Sequence, residues 1–66
     1  MKKICFAENL KRLRREKGIT QSLLAKELGV DQRTVSAWEN EICEPSYATL
    51  LRLCDFFDET IEDILT

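Results

Sequence analysis

Histidine is absent from this chain of 66 residues, glycine occurs twice and proline once. Without histidine the commonest general base is missing, and so is any imidazole ligand for zinc. The three cysteines, Cys5, Cys43 and Cys54, include no C-x-x-C pair. They read as free, mostly buried thiols and not as a metal site. No nucleophile–base pair is recognisable, and a fold this small has little room for a pocket. An enzyme is therefore not expected, and neither is a cofactor. No apolar run comes near the roughly 18 residues that a membrane span needs. The opening Met1-Lys2-Lys3-Ile4-Cys5-Phe6 is too short an apolar stretch for a signal peptide. The expectation is a soluble cytoplasmic protein with no membrane partner.

Positive charge is almost missing from one half of the chain. Residues 41–66 hold one base, Arg52, against seven acids, a balance of −6; residues 1–40 hold nine bases against five acids, a balance of +4. The net charge of −2 therefore conceals a dipole along the sequence. A basic half can face phosphates while an acidic half points away. Lys11 and Arg12 are the candidate phosphate contacts of the basic half. Lys2 and Lys3 form a short arm that reads as a solubilising end.

Sixty-six residues make one small domain, 1–66. A chain of that size buries only about 60% of its unfolded surface. Helices joined by short loops suit it. Phe6, Leu10 and Leu13 repeat at i, i+4 and i+7, which predicts a helix from about Phe6 to Lys17 with Gly18 as its left-handed cap. The stretch Thr20 to Asn40 then reads as two short helices around a turn at Gly29. Thr20 and Asp31 are the N-caps, and Ile19 and Leu24 have hydrophobic-staple spacing. Pro45 and Ser46 open a fourth helix, about Tyr47 to Phe57, with Tyr47, Leu50, Leu51, Cys54 and Phe57 on one face and Leu53 and Phe56 beside it. Asp58-Glu59 makes a break. Thr60 caps a last short helix carrying Ile61, Ile64 and Leu65.

The helix after Asp31 carries the functional signal. At 100° per residue, Gln32, Arg33, Ser36, Ala37 and Asn40 share a stripe roughly 140° wide, while Val35 and Trp38 lie opposite. The stripe offers two amides, a guanidinium, a hydroxyl and a methyl, and no acid. Those are the groups that read base edges in the major groove. A helix–turn–helix places its second helix there. Arg14 flanks the apolar stripe of the first helix and needs a carboxylate partner; Glu39, at the edge of the buried side of its helix, is the candidate.

The segments LKRLRREKGITQ, LLAKELGV, TVSAWEN, EPS and TLLRLCDFF resemble the Cro/phage-repressor-like helix–turn–helix regulators, also called the xenobiotic-response-element family. The resemblance runs from Phe6 to Leu65. It implies an all-α, five-helix, lambda-repressor-like DNA-binding domain with the helix–turn–helix at about 20–40. It implies a sequence-specific transcriptional regulator, such as a repressor, with double-stranded DNA as partner. By the same resemblance Gln32, Arg33 and Ala37 match base-reading positions, with Ser36 alongside. Gln21, Thr34 and Asn40 match phosphate contacts, and Arg14 and Glu39 match a structural ion pair. Family members usually bind operators as homodimers. The excess apolar surface of the C-terminal half points the same way, with Leu53 and Phe56 and the last helix (Ile61, Ile64, Leu65) as the expected face. The alternative is an antitoxin or adaptor module whose main partner is a protein. Three positions depart from the family pattern. Glu41 stands where glycine is common, Ile42-Cys43-Glu44 replaces a basic loop, and Glu59 replaces an apolar residue.

Overall fold

Five helices follow the apolar-periodic segments in order: α1 (Phe6–Glu16), α2 (Gln21–Leu28), α3 (Gln32–Glu39), α4 (Tyr47–Phe57) and α5 (Ile61–Leu65). The structure is a computed structural model that describes residues 4–66. Lys2 and Lys3 lie outside the described residues. No strand occurs among the described residues, so the expected all-α fold is the observed one.

Capping residues set the helix boundaries. Thr20 Oγ1 accepts the Leu23 N–H at 3.0 Å, Asp31 Oδ1 the Arg33 N–H at 2.8 Å, Ser46 Oγ the Thr49 N–H at 3.2 Å and Thr60 Oγ1 the Asp63 N–H at 3.0 Å. Each satisfies a donor that the first helical turn leaves open. α1 ends one residue earlier than the periodicity predicts. Gly18 takes φ +72°; its N–H donates to the Arg15 carbonyl at 3.0 Å and the Ile19 N–H to that of Arg14 at 3.2 Å. This paired closure needs a left-handed residue after the cap.

α3 closes the same way without glycine. Glu41 stands at φ +60°, with its N–H on the Trp38 carbonyl at 3.3 Å and the Ile42 N–H on that of Ala37 at 2.9 Å. A left-handed backbone crowds the Cβ of an L-residue, at a cost of about 1–2 kcal/mol, part of which glycine would return as extra unfolded-state entropy. Glu41→Gly is therefore expected to stabilise the domain by about 0.5–1 kcal/mol, and a thermal melt should show it as a rise in Tm of about 2–8 °C. Asp58 is also left-handed, at φ +56°. This is a conformation that Asp tolerates better than most residues.

Leu10, Leu24, Val35, Leu53 and Ile64 are the largest side chains with no solvent exposure, and they come one from each helix. Phe6, Leu13, Ala25, Leu28, Trp38 and Cys54 complete the core around them. This arrangement corrects the expected dimer face. Leu53 and Ile64 are fully enclosed in the protomer and have no surface to offer a second copy. The reason is angular: the buried stripe of α4 is centred between Leu50, Leu53, Cys54 and Phe57, so Leu53 lies at its middle and not at its outer edge. Tyr47, assigned to the buried face, is instead 70% exposed, and Leu51 is 44% exposed. Lys17 at the end of α1 sits over the Phe56 ring, 5.1 Å from its centroid, and joins α1 to α4.

Candidate nucleic-acid interface

α2 and α3 are capped independently and joined by Gly29 at φ +71°. That turn lets Leu24, Ala25 and Leu28 of α2 meet Val35 and Trp38 of α3 in the core. Burying Val35 and Trp38 fixes which side of α3 faces out. Gln32, Arg33 and Asn40 are exposed, and Ser36 and Ala37 are half-buried beside them. All five residues of the sequence-derived stripe thus occupy one continuous outer face. Thr34 is half-buried.

The stripe is partly organised before any ligand arrives. Asn40 Nδ2 donates to the Ser36 carbonyl at 2.9 Å and to Ser36 Oγ at 3.2 Å. Ser36 Oγ can still donate its own proton outward. At the other end of α3, Gln21, Asp31, Gln32, Arg33 and Ser36 line a shallow depression. It brings the start of α2 next to the start of α3. Arg33 is almost free, with its side chain 95% exposed.

Arg14 and Glu39 form the expected pair. Arg14 Nε donates to Glu39 Oε2 at 2.7 Å and Nη2 to Oε1 at 3.2 Å, while Nη1 donates to the Ile19 carbonyl at 2.9 Å. The two side chains are 13% and 1% exposed. Burial pushes the Glu39 carboxyl up. The hydrogen bonds from Arg14 and Gln21 and the charges of Arg14 and Lys11 outweigh it and hold the group below the usual carboxylate range. The hydrogen bond to Glu39 raises Arg14 above its ordinary value, although burial works against it.

The third member of this network is one that the periodicity does not reveal. Gln21 Nε2 donates to Glu39 Oε1 at 3.1 Å. The phosphate candidate at the start of α2 is therefore held by the end of α3, with one of its two amide N–H groups committed. Nothing in the spacing of Gln21 and Glu39 announces this, because the contact depends on how α2 crosses α3.

The basic residues of α1 lie on the same network's flank. Lys11 is half-buried and close enough to Glu39 to lower its pKa. Arg12 is exposed and contacts Glu16 one turn on, at 3.3 Å. An exposed pair of this kind is weak and leaves the guanidinium free to exchange partners. Together with Glu39 and Glu41 these two bases line a second depression, at the C-terminal end of α3. The loop Ile42-Cys43-Glu44 is exposed and contributes no base.

Comparison with known proteins gives a consistent picture. A family model described as helix–turn–helix matches residues 10–64. The HTH-type transcriptional regulator YqaE of Bacillus subtilis (strain 168) is 35% identical over 60 residues, which cover 91% of this chain and 52% of that protein. The chain thus spans about half the length of that relative. The crystal structure of a transcriptional regulator from Listeria innocua superposes with a TM-score of 0.91 at 33% identity, over 97% of this chain and 60% of the other. The restriction–modification controller protein C.AhdI from Aeromonas hydrophila matches with a TM-score of 0.80 at 29% identity, over 89% of each chain.

Proposed function

The chain belongs to the Cro/C1-type helix–turn–helix family, and from that premise we propose that it is a sequence-specific DNA-binding regulator of transcription. The observation that carries this reading is the outer face of α3. It holds Gln32, Arg33, Ser36, Ala37 and Asn40 together, with the core side of the same helix locked by Val35 and Trp38. α3 enters the major groove. Arg33 grips guanine O6 and N7, Gln32 takes adenine N6 and N7, Ser36 adds a hydroxyl contact, and Ala37 packs on a thymine methyl. Gln21, Thr34, Asn40, Lys11 and Arg12 hold the phosphates on either side, which sets register without reading sequence.

The protein works as a binding module in the cytoplasm and needs no cofactor. No helix among the described residues is long and apolar enough to cross a membrane. Residues 1–66 act as one DNA-binding domain. The domain pairs with a second copy through its C-terminal half, so that two recognition helices meet half-sites one turn of DNA apart. With Leu53 and Ile64 enclosed, the pairing face draws on Phe56, Ile61 and Leu65, which are only partly buried, and on the exposed Leu51.

Selecting bound duplexes from a random DNA pool supplies the test site, and titration against its single-base variants tests the reading. Arg33→Ala is expected to leave stability within about ±0.5 kcal/mol. It should lose about 1–3 kcal/mol of discrimination at one base pair per half-site. Lys11→Ala or Arg12→Ala should instead weaken all sequences alike and lower the salt dependence by about one unit of slope. Wild-type ranking and affinity in Arg33→Ala would overturn the assignment of α3 as the reading helix. Sedimentation of the complex on the selected duplex tests the pairing.

A further inference from the structure

The carboxylate of Asp31 does two things at the start of α3. Its Oδ1 accepts the Arg33 backbone N–H at 2.8 Å, which caps the helix. The same oxygen lies 3.6 Å from Arg33 Nε. The pair is exposed and longer than a hydrogen bond, so Asp31 acts on the arginine as a nearby charge and not as a fixed partner. Both side chains project from the protein, Arg33 at 95% exposure and Asp31 at 63%.

An arginine this free is ambiguous. Its planar fork fits a phosphate as well as it fits guanine. The N-terminus of a helix, with its open N–H groups, attracts phosphate too. Asp31 acts against both. It occupies the open N–H, and its charge disfavours a phosphate at that spot. Lying beside Nε, it leaves the opposite edge of the guanidinium, Nη1 and Nη2, without a partner among the described residues. That edge carries the two parallel N–H groups that match guanine O6 and N7.

We infer that Asp31 is a positioning residue for sequence recognition: its carboxylate commits Arg33 to a guanine and withholds it from the phosphate backbone. This rests on the reading of α3 as the recognition helix. It adds that specificity at the Arg33 position depends on an acid that touches no base.

Asp31→Asn separates the two jobs, because asparagine caps a helix about as well as aspartate. The variant should melt with the wild type. Its affinity for an unrelated duplex should rise, and its slope of log K against log salt should steepen by up to about 0.9 per half-site as Arg33 gains access to phosphate. Discrimination at the base pair read by Arg33 should fall about threefold or more, a part of the roughly 5- to 150-fold that a bidentate contact supplies. The same substitution made in an Arg33→Ala background should change discrimination at that base pair not at all. Wild-type discrimination in Asp31→Asn would overturn the inference. So would an equal loss in both backgrounds, which would mean that Asp31 reads a base itself. If Arg33→Ala alone leaves discrimination intact, the base-reading role of Arg33 falls first and the inference falls with it, an outcome distinguishable from the other two.

Discussion

Arg14→Ala should destabilise the domain by roughly 3–5 kcal/mol, because it strands a buried carboxylate. Glu39 is 1% exposed and would keep only the Gln21 amide. A protein of 66 residues has a total stability of roughly 3–10 kcal/mol. The variant is therefore expected to lose between about a third and all of its stability. Replacing both partners is expected to behave differently. Arg14→Met with Glu39→Met removes two desolvated charges together and should recover most of the loss, since an apolar pair of similar volume often equals a buried ion pair. Chemical denaturation of Arg14→Met, Glu39→Met and the double variant gives the coupling. A coupling energy near zero would show that the two side chains do not depend on each other.

The pair also makes a pH dependence. The Glu39 carboxyl is held below the usual carboxylate range in the folded protein. Its contribution is therefore complete above the unfolded carboxylate pKa of about 4.3 and drains away as the pH falls through the depressed folded value. Arg14 stays charged throughout. Wild-type melts should thus lose Tm on acidification below about pH 4 more steeply than melts of the Arg14→Met, Glu39→Met variant.

Trp38→Ala is the second large effect. Trp38 is 3% exposed and packs in the core shared by α1, α2 and α3. Truncating a buried tryptophan costs about 3–5 kcal/mol, through lost burial and the cavity left behind. DNA binding should fall in step with the folded population. Arg33→Ala, five residues away on the opposite side of the same helix, should lose discrimination and keep its melt. Trp38 is the single tryptophan of the chain, so the variant must be followed by circular dichroism. A Trp38→Ala protein that melts like the wild type would mean the indole is not a core group.

The helices were legible because their signals are local. Thr20, Asp31, Ser46 and Thr60 each cap a helix within their own next three residues. The Arg14–Glu39 pair was legible although 25 residues separate its members, because a charge flanking an apolar stripe demands a partner. Two things were not legible. The rotation of α4 decides that Leu53 is enclosed and Tyr47 is not, and a helix apolar on most of its circumference does not declare its centre. The Gln21–Glu39 bond depends on how α2 crosses α3, which no spacing encodes. Glu41, at φ +60°, stands where the family pattern has glycine, the residue that a left-handed cap ordinarily takes.

The start of α1 is held by the end of α5. The Asn9 amide donates to the Ile64 carbonyl at 3.1 Å across 55 positions of sequence, and the Cys5 N–H donates to the Leu65 carbonyl at 2.6 Å. On a translating ribosome, Asn9 is made 55 residues before its acceptor, roughly 3–11 seconds at ordinary elongation rates. The contact between α1 and α5 can therefore form only after α2 and α3 have both been synthesised, so that the first helix waits for the last.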